Sequence, residues 1–209
     1  MSVAPAVVEI EVADEPDAWR AAGFTVVDDR AHVGSIAIRL VGRDEQSKGI
    51  RSWTWSSLAS EGPIDGLATH TALQSAVTPG AHANGSTIID HIVVVTPNIE
   101  RTVPEFEARG LDVRRTRHTD QYGPAFRQVF FRGGETIIEL IGPDTPADGD
   151  HRAAHFYGLA FTVADLDTVA QELGKGLSSI KDAVQDGRRI ATLRHTRYDI
   201  SVPVALMSA

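Results

Sequence analysis

The sequence predicts an α+β fold in which one unit, a strand followed by a helix and further strands, occurs three times along the chain. Each copy begins with a short β-branched run, continues through a turn whose Asp or Asn can cap a helix, and then has an amphipathic stretch that ends at a glycine. The strands after each helix are joined as hairpins, which excludes a doubly wound parallel sheet. The three copies begin with the segments 7–26, 89–113 and 156–177.

Two strands can be located after each helix, and we interpret the repeated unit as βαβββ. Gly133-Gly134 is a plausible hairpin turn in the second copy, and a polar turn near Tyr198 and Asp199 plays that part in the third. The predicted strands are 35–41 and 50–56 in the first copy, 126–132 and 136–141 in the second, and 189–195 and 201–207 in the third.

These units divide the chain into an N-terminal module at 1–60, a linker at 61–86 and a domain of two modules at 87–209. The linker is rich in Gly, Ala, Thr and Pro. Because it is long for a structureless loop, it is either a true linker or carries a short helix around 68–75.

Composition sets the class of protein. Of the 209 residues, 42% are hydrophobic and 23% are charged, which is typical of a globular chain. The formal net charge of −8 disfavours nucleic acid as a partner, because phosphate binding needs clustered Lys and Arg. There is no Cys, no run apolar enough to cross a membrane and no recognisable signal peptide, so we expect a cytoplasmic protein.

Three stretches together carry a family resemblance: DHIVVVTPNIE, then FRQVFFRGGETIIELIGP, then FYGLAFTVADLDTVAQEL. In this order they resemble the glyoxalase and bleomycin-resistance-like proteins of the vicinal oxygen chelate superfamily. The resemblance is good over about 86–209 and weak over 7–56. It implies paired modules whose strands form a U-shaped, mostly antiparallel mixed sheet, with helices outside and a pocket inside. Because modules come in pairs, the first copy packs on its own or completes a sheet across a homodimer.

The resemblance also implies where a metal would bind, since metal-dependent members take ligands from the first and last strands of each module. His91 and Glu139 match these positions in one module. Gly158 and about Ala205 match them in the next, and neither has a side-chain donor. A divalent metal would therefore have half of the expected ligands. In the alternative, His91 and Glu139 are pocket residues hydrogen-bonded to each other, because a buried carboxylate is costly unless paired.

Strand alternation predicts further pocket residues. If Glu139 faces the pocket, Gln128 and Phe130 face it as well, and in the third copy Arg194 does so. Arg194 would then bind a substrate carboxylate or pair with Glu139; the alternative is a solvated basic edge shared with neighbouring arginines. Tyr157 would cover a ligand, or pack in the core or an interface.

Two other clusters have simpler interpretations. Trp53 and Trp55 alternate on a predicted strand, which favours packing or a dimer contact over a cofactor site. Arg114, Arg115 and Arg117 are predicted to be exposed strand residues.

Three functions remain open for a pocket of this kind, whose ligand is a small organic molecule that the sequence does not name. The first is a lyase- or isomerase-type enzyme in which Glu139 is the general base on an enolisable or epoxide-like molecule, His91 and Arg194 orient it, and a metal assists. The second is a non-catalytic protein that sequesters a drug or metabolite. The third is a dimerisation scaffold.

Overall fold

The computed structural model describes residues 4–44, 47–73, 78–120 and 125–209. Over these residues the chain forms two sheets and three α-helices, so the predicted α+β class is confirmed. None of the described helices is long and apolar enough to cross a membrane. The helices are α1 (Pro16–Ala21), α2 (Ile99–Glu107) and α3 (Leu166–Leu173).

The second half of the chain forms an eight-stranded sheet from two complete βαβββ modules. The first module consists of β6 (Ser86–Val95), α2, β7 (Arg115–Thr119), β8 (Phe126–Gly133) and β9 (Thr136–Pro143). The second consists of β10 (His155–Val163), α3, β11 (Lys181–Asp182), β12 (Arg189–Thr192) and β13 (Val204–Ser208).

The two modules are joined at their first strands. β6 and β10 pair antiparallel at the centre of the sheet, and each pairs parallel on its other side with the last strand of its own module. The sheet order is therefore β11-β12-β13-β10-β6-β9-β8-β7. This mixed arrangement brings residues of both modules to one concave face.

The first half forms a five-stranded sheet in the order β2-β3-β1-β4-β5. Its strands are β1 (Ala6–Val12), β2 (Arg30–Val33), β3 (Ile36–Leu40), β4 (Ile50–Ser56) and β5 (Thr69–Thr71). β1, α1, β2 and β3 follow the module pattern, with β1 parallel to β3 and β2 antiparallel to β3.

The prediction that 50–56 is the last strand of a first βαβββ module is wrong. β4 instead pairs antiparallel with β1 on the opposite side from β3, in the position that β10 takes beside β6. β5 then lies parallel to β4, as β13 lies to β10. The first half thus holds three strands of one module and two strands in the positions of a second.

Buried tryptophans explain why β4 lies there. Trp53 and Trp55 are fully buried, and the Trp53 ring lies 4.9 Å from that of Phe156 and 6.1 Å from that of Phe106. In this position the strand reaches aromatic partners from the other half of the chain. The packing interpretation of the two tryptophans is therefore confirmed.

The predicted helix around 68–75 is also wrong over the described residues. Thr69–Thr71 is β5, and Trp53 Nε1 donates to Thr69 Oγ1 at 2.7 Å, which ties this strand to β4. The end of that prediction, residues 74 and 75, lies outside the described residues.

One hydrophobic core spans both halves. It includes Trp19 and Phe24 from the first half and Phe161 from the second, with Phe24 and Phe161 ring centroids 5.1 Å apart. The N-terminal sheet therefore packs on the face of the eight-stranded sheet opposite to its concave face, which leaves the concave face open for a site.

Candidate active site

A cavity of about 290 Å³ lies on the concave face of the eight-stranded sheet. Strands of both modules form its floor, and the segment 181–185 forms one wall. Its polar lining residues are His91, Arg117, Gln128, Glu139, Lys181, Asp182 and Gln185, and its apolar ones are Phe130, Ile137, Ala183, Val184, Ile190 and Met207.

Strand register places Glu139 in this cavity. It lies opposite Phe130 on β8 and opposite Val93 on β6, and directly opposed residues share a face of the sheet. The flanking residues Ile138 and Leu140 are fully buried on the other face. Gln128 lies in the cavity wall, as the alternation from Glu139 predicts.

An irregularity in β6 adds an acidic group that alternation alone misses. His91 pairs with Ala160 and Ile89 pairs with Phe161, so Asp90 between them is the extra residue of a β-bulge. A bulge redirects side chains locally, and here it brings the Asp90 carboxylate beside the His91 ring. Asp90 Oδ2 lies 3.2 Å from His91 Nδ1.

A polar chain of five residues follows from this placement: Gln128, Glu139, His91, Asp90 and Arg188. Gln128 Nε2 donates to Glu139 Oε1 at 2.5 Å, and the other carboxylate oxygen, Oε2, lies 3.4 Å from His91 Nε2. At the far end, Arg188 Nη1 donates to Asp90 Oδ1 at 2.8 Å. The predicted pairing of His91 with Glu139 is therefore observed as an ion-pair contact.

The charge of Asp90 determines which ring nitrogen of His91 carries a proton in their contact. Burial by itself would raise the pKa of Asp90, but the hydrogen bonds and positive charge of His91 and Arg188 outweigh it and lower the pKa to about 2. An ionised Asp90 is a pure acceptor, so the proton of this contact belongs on His91 Nδ1. His91 Nε2 is then the ring atom that faces Glu139.

Among the described residues, the depression beside the cavity has no carboxylate or guanidinium group in its lining. This depression of about 180 Å³ adjoins the cavity at His91 and is lined by Tyr157, Gly158 and Ala205 among others. Tyr157 lies in a second bulge, between Phe156 and Gly158, and its side chain is 55% exposed. Tyr157 is thus beside the cavity rather than in the core.

The donors on this face do not fit a resident metal ion. His91 and Glu139 supply two donors, whereas a hard divalent ion generally takes more. At the other family positions, Gly158 and Ala205 supply none, and a Cβ at Gly158 would lie 2.6 Å from the carbonyl oxygen of Pro203. Across the described ranges of the chain, no three His, Cys, Asp or Glu side chains converge on one point.

The structure places Arg194 away from the cavity. β12 ends at Thr192, and the Arg194 backbone N–H donates to Gly176 O at 2.7 Å before the chain enters a 3₁₀ helix at His195–Tyr198. Its side chain is exposed and lines a separate depression with His195 and Arg197. Strand alternation fails here because the strand has already ended.

Sequence reasoning did not identify six polar residues of the described site: Asp90, Arg117, Lys181, Asp182, Gln185 and Arg188. Asp90 could have been found from the sequence, because it is an acidic residue directly before the candidate site residue His91. Arg188 reaches Asp90 from 98 positions away in sequence, and it also donates to Thr162 and to Ser208, which no local pattern indicates.

Comparison with known proteins agrees with this architecture. The model of the Glyoxalase/Bleomycin resistance protein/Dioxygenase superfamily matches residues 90–192. No curated protein matches the sequence.

Among solved structures, a mutant 4-hydroxymandelate synthase from Streptomyces coelicolor has 14% identity and a TM-score of 0.64, with 97% of this chain and 92% of that chain covered. A xylose isomerase-like TIM barrel/4-hydroxyphenylpyruvate dioxygenase fusion protein has 12% identity and a TM-score of 0.63, with 99% of this chain and 49% of that one covered. Methylmalonyl-CoA epimerase from Mycobacterium tuberculosis has 19% identity and a TM-score of 0.47, with 59% and 89% covered. The first two likenesses extend over both halves of the chain and concern the fold alone. The family match, together with the two complete βαβββ modules, makes this chain a glyoxalase-like member of the vicinal oxygen chelate superfamily.

Proposed function

We propose that the chain is a lyase- or isomerase-type enzyme that binds a small organic molecule in the concave cavity and uses Glu139 as its general base. The observation that carries the proposal is the contact of Glu139 with His91 at the cavity floor, at 3.4 Å between Oε2 and Nε2. The hydrogen bond from Gln128 positions this carboxylate, with the His91 ring beside it.

The chemistry follows from the acid–base character of these groups. Glu139 removes a proton from a carbon next to a carbonyl; the C–H electron pair moves into the C=C bond of an enolate, and negative charge collects on the carbonyl oxygen. The proton then resides on the Glu139 carboxyl group. Its delivery to a different carbon of a conjugated enolate completes an isomerisation, whereas departure of a leaving group with its electron pair from the neighbouring carbon completes an elimination.

The remaining cavity residues have supporting roles in this proposal. Asp90 keeps a proton on His91 Nδ1, so that Nε2 can exchange a proton with Glu139. Arg117 and Lys181 line the same cavity, and their positive charge favours an enolate oxygen or a substrate carboxylate. No step requires a metal ion.

Solvent-deuterium exchange tests the proposal without knowledge of the natural substrate. A panel of small enolisable carboxylic acids and ketones is incubated with protein in D₂O, and deuterium in the carbon acid is followed by NMR. We expect exchange into at least one compound, with Glu139→Gln slowing it by about 10²- to 10⁴-fold. Glu105→Gln, on the exposed face of α2, is the matched control and should leave the rate unchanged. Equal rates for wild type and Glu139→Gln exclude Glu139 as the base.

A second candidate function, sequestration of an apolar metabolite or drug, is favoured by the depression beside the cavity, whose described lining is mostly apolar. Gly158 and Ala205 contribute no side-chain donor to it, and Phe130, Ile190 and Met207 make the adjoining wall apolar. This function predicts ligand-dependent thermal stabilisation without any deuterium exchange.

We further propose that the chain is a cytoplasmic homodimer with an N-terminal module at 1–60, a linker at 61–86 that also contributes β5 to the N-terminal sheet, and a glyoxalase-like domain at 87–209. The support for a dimer is that modules of this superfamily work in pairs, and the first half of the chain holds only one incomplete pair. Light scattering after size-exclusion chromatography tests it: a mass of one chain contradicts the dimer.

A further inference from the structure

A second cavity, of about 310 Å³, continues from the first along the concave face. The two share Arg117, Phe130, Ile137, Val184 and Gln185 in their walls. The extension is distinguished by four guanidinium groups, which we call the arginine groove: Arg114, Arg115, Arg117 and Arg132.

The guanidinium groups of the arginine groove have no hydrogen-bond or ion-pair partner among the described residues. Several other arginines of this chain are paired, among them Arg101 with Asp65, Arg188 with Asp90 and Arg189 with Asp167. The chain as a whole carries a net charge of −8, so acidic residues are plentiful. Four like charges gathered along one cavity without a counter-ion create a local positive potential that attracts an anion.

Strand register fixes where the groove lies relative to the polar chain. Arg115 on β7 is opposite Phe130 on β8, which is opposite Glu139 on β9. Arg132 is likewise opposite Ile137, which is opposite His91. Each pair is two strand spacings apart, or about 10 Å along the sheet. The apolar side chains of Phe130 and Ile137 occupy the interval.

We infer that the arginine groove is a binding subsite for an anionic tail, a phosphate or carboxylate group, of the molecule whose reactive carbon lies at Glu139. The guanidinium fork matches the oxygens of either anion with two parallel hydrogen bonds. An apolar linking segment of the ligand packs on Phe130 and Ile137. The position of the reactive end rests on the proposed function, whereas the binding of the anionic tail does not.

Binding of simple anions tests the subsite directly. Inorganic pyrophosphate and succinate are titrated separately into the full chain at low ionic strength by calorimetry, with wild type, Arg115→Gln/Arg132→Gln and Arg51→Gln/Arg197→Gln. The last variant is the matched control, because it removes two exposed arginines outside the groove whose side chains make no hydrogen bond or ion pair within the described parts of the chain. We expect the groove variant to bind about tenfold more weakly than wild type, and the control to stay within about twofold.

The two probes distinguish the sources of the anion. Tighter binding of pyrophosphate assigns the tail as a phosphate ester, and tighter binding of succinate assigns it as a carboxylate. Equal weakening in the groove and control variants, or no binding of either probe to wild type, overturns the inference. Glu139→Gln should retain probe binding, so loss of deuterium exchange with intact probe binding separates the two proposals.

Discussion

Replacement of Asp90 by Asn removes the one strongly acidic group of the polar chain while keeping its shape. The carboxylate is 9% exposed, and its pKa of about 2 in the folded protein compares with an ordinary value of 3.8. This difference corresponds to about 2 kcal/mol of folding free energy at neutral pH. We therefore expect Asp90→Asn to lower the unfolding temperature by about 4 to 8 °C, given the size of the chain.

The sign of the pH dependence is fixed by the lowered pKa. Because the folded pKa lies below the unfolded one, the stabilisation is fully present above about pH 4 and is lost as the pH falls towards 2. By pH 3 the contribution should fall to about half of its neutral value. The gap between wild type and Asp90→Asn should narrow accordingly.

Urea unfolding followed by tryptophan fluorescence measures this gap at pH 7 and at pH 3. Asp167→Asn is the matched control. Asp167 also pairs with an arginine, Arg189, which follows Arg188 in the sequence; this ion pair is 2.7 Å long and exposed to solvent, whereas that of Asp90 is buried. Exposed ion pairs contribute little, so this variant should change stability much less. The reasoning is refuted if the two variants are equally stable, or if the loss in Asp90→Asn is the same at both pH values.

Three more predictions concern the scaffold. Trp53→Ala should cost about 3 to 5 kcal/mol and unfold both halves in one transition, because Trp53 packs on Phe156 across the shared core; two separate transitions would contradict this. Gly158→Ala should lower stability by about 1 to 3 kcal/mol in thermal unfolding, because its Cβ would meet the Pro203 carbonyl oxygen; unchanged stability would contradict the tight contact. Burial lowers the pKa of His82 below its ordinary value of 6.5, so the free energy of unfolding should fall as the pH drops below about 6.5. Chemical unfolding should show a smaller fall for His82→Gln than for wild type. Parallel pH profiles of the two proteins would contradict this prediction.

Local patterns in the sequence were sufficient for the hairpin of β8 and β9 and for the face of Glu139, because strand periodicity holds wherever a strand is regular. Gln128 and Phe130 could therefore be placed in the cavity wall without a structure. The short strands β7 and β11 were not located, and the predicted strand 189–195 extends beyond the end of β12.

The parts that could not be predicted depend on irregular or distant contacts. The bulge at Asp90 adds one residue and changes which side chains share a face. Arg194 lies beyond the end of its strand, where alternation no longer applies. The side of β1 on which β4 pairs is set by the packing of Trp53 with Phe106 and Phe156, which lie far away in sequence.

The position of the protons in the polar chain can be measured directly by ¹⁵N NMR of the His91 imidazole ring. An ionised Asp90 that accepts from His91 requires a proton on Nδ1 and leaves Nε2 to exchange with Glu139. We predict a protonated Nδ1 in the wild type between about pH 5 and 8, well above the pKa of about 2 of Asp90. A neutral ring with its proton on Nε2 and a bare Nδ1 would contradict the proposed acid–base pair.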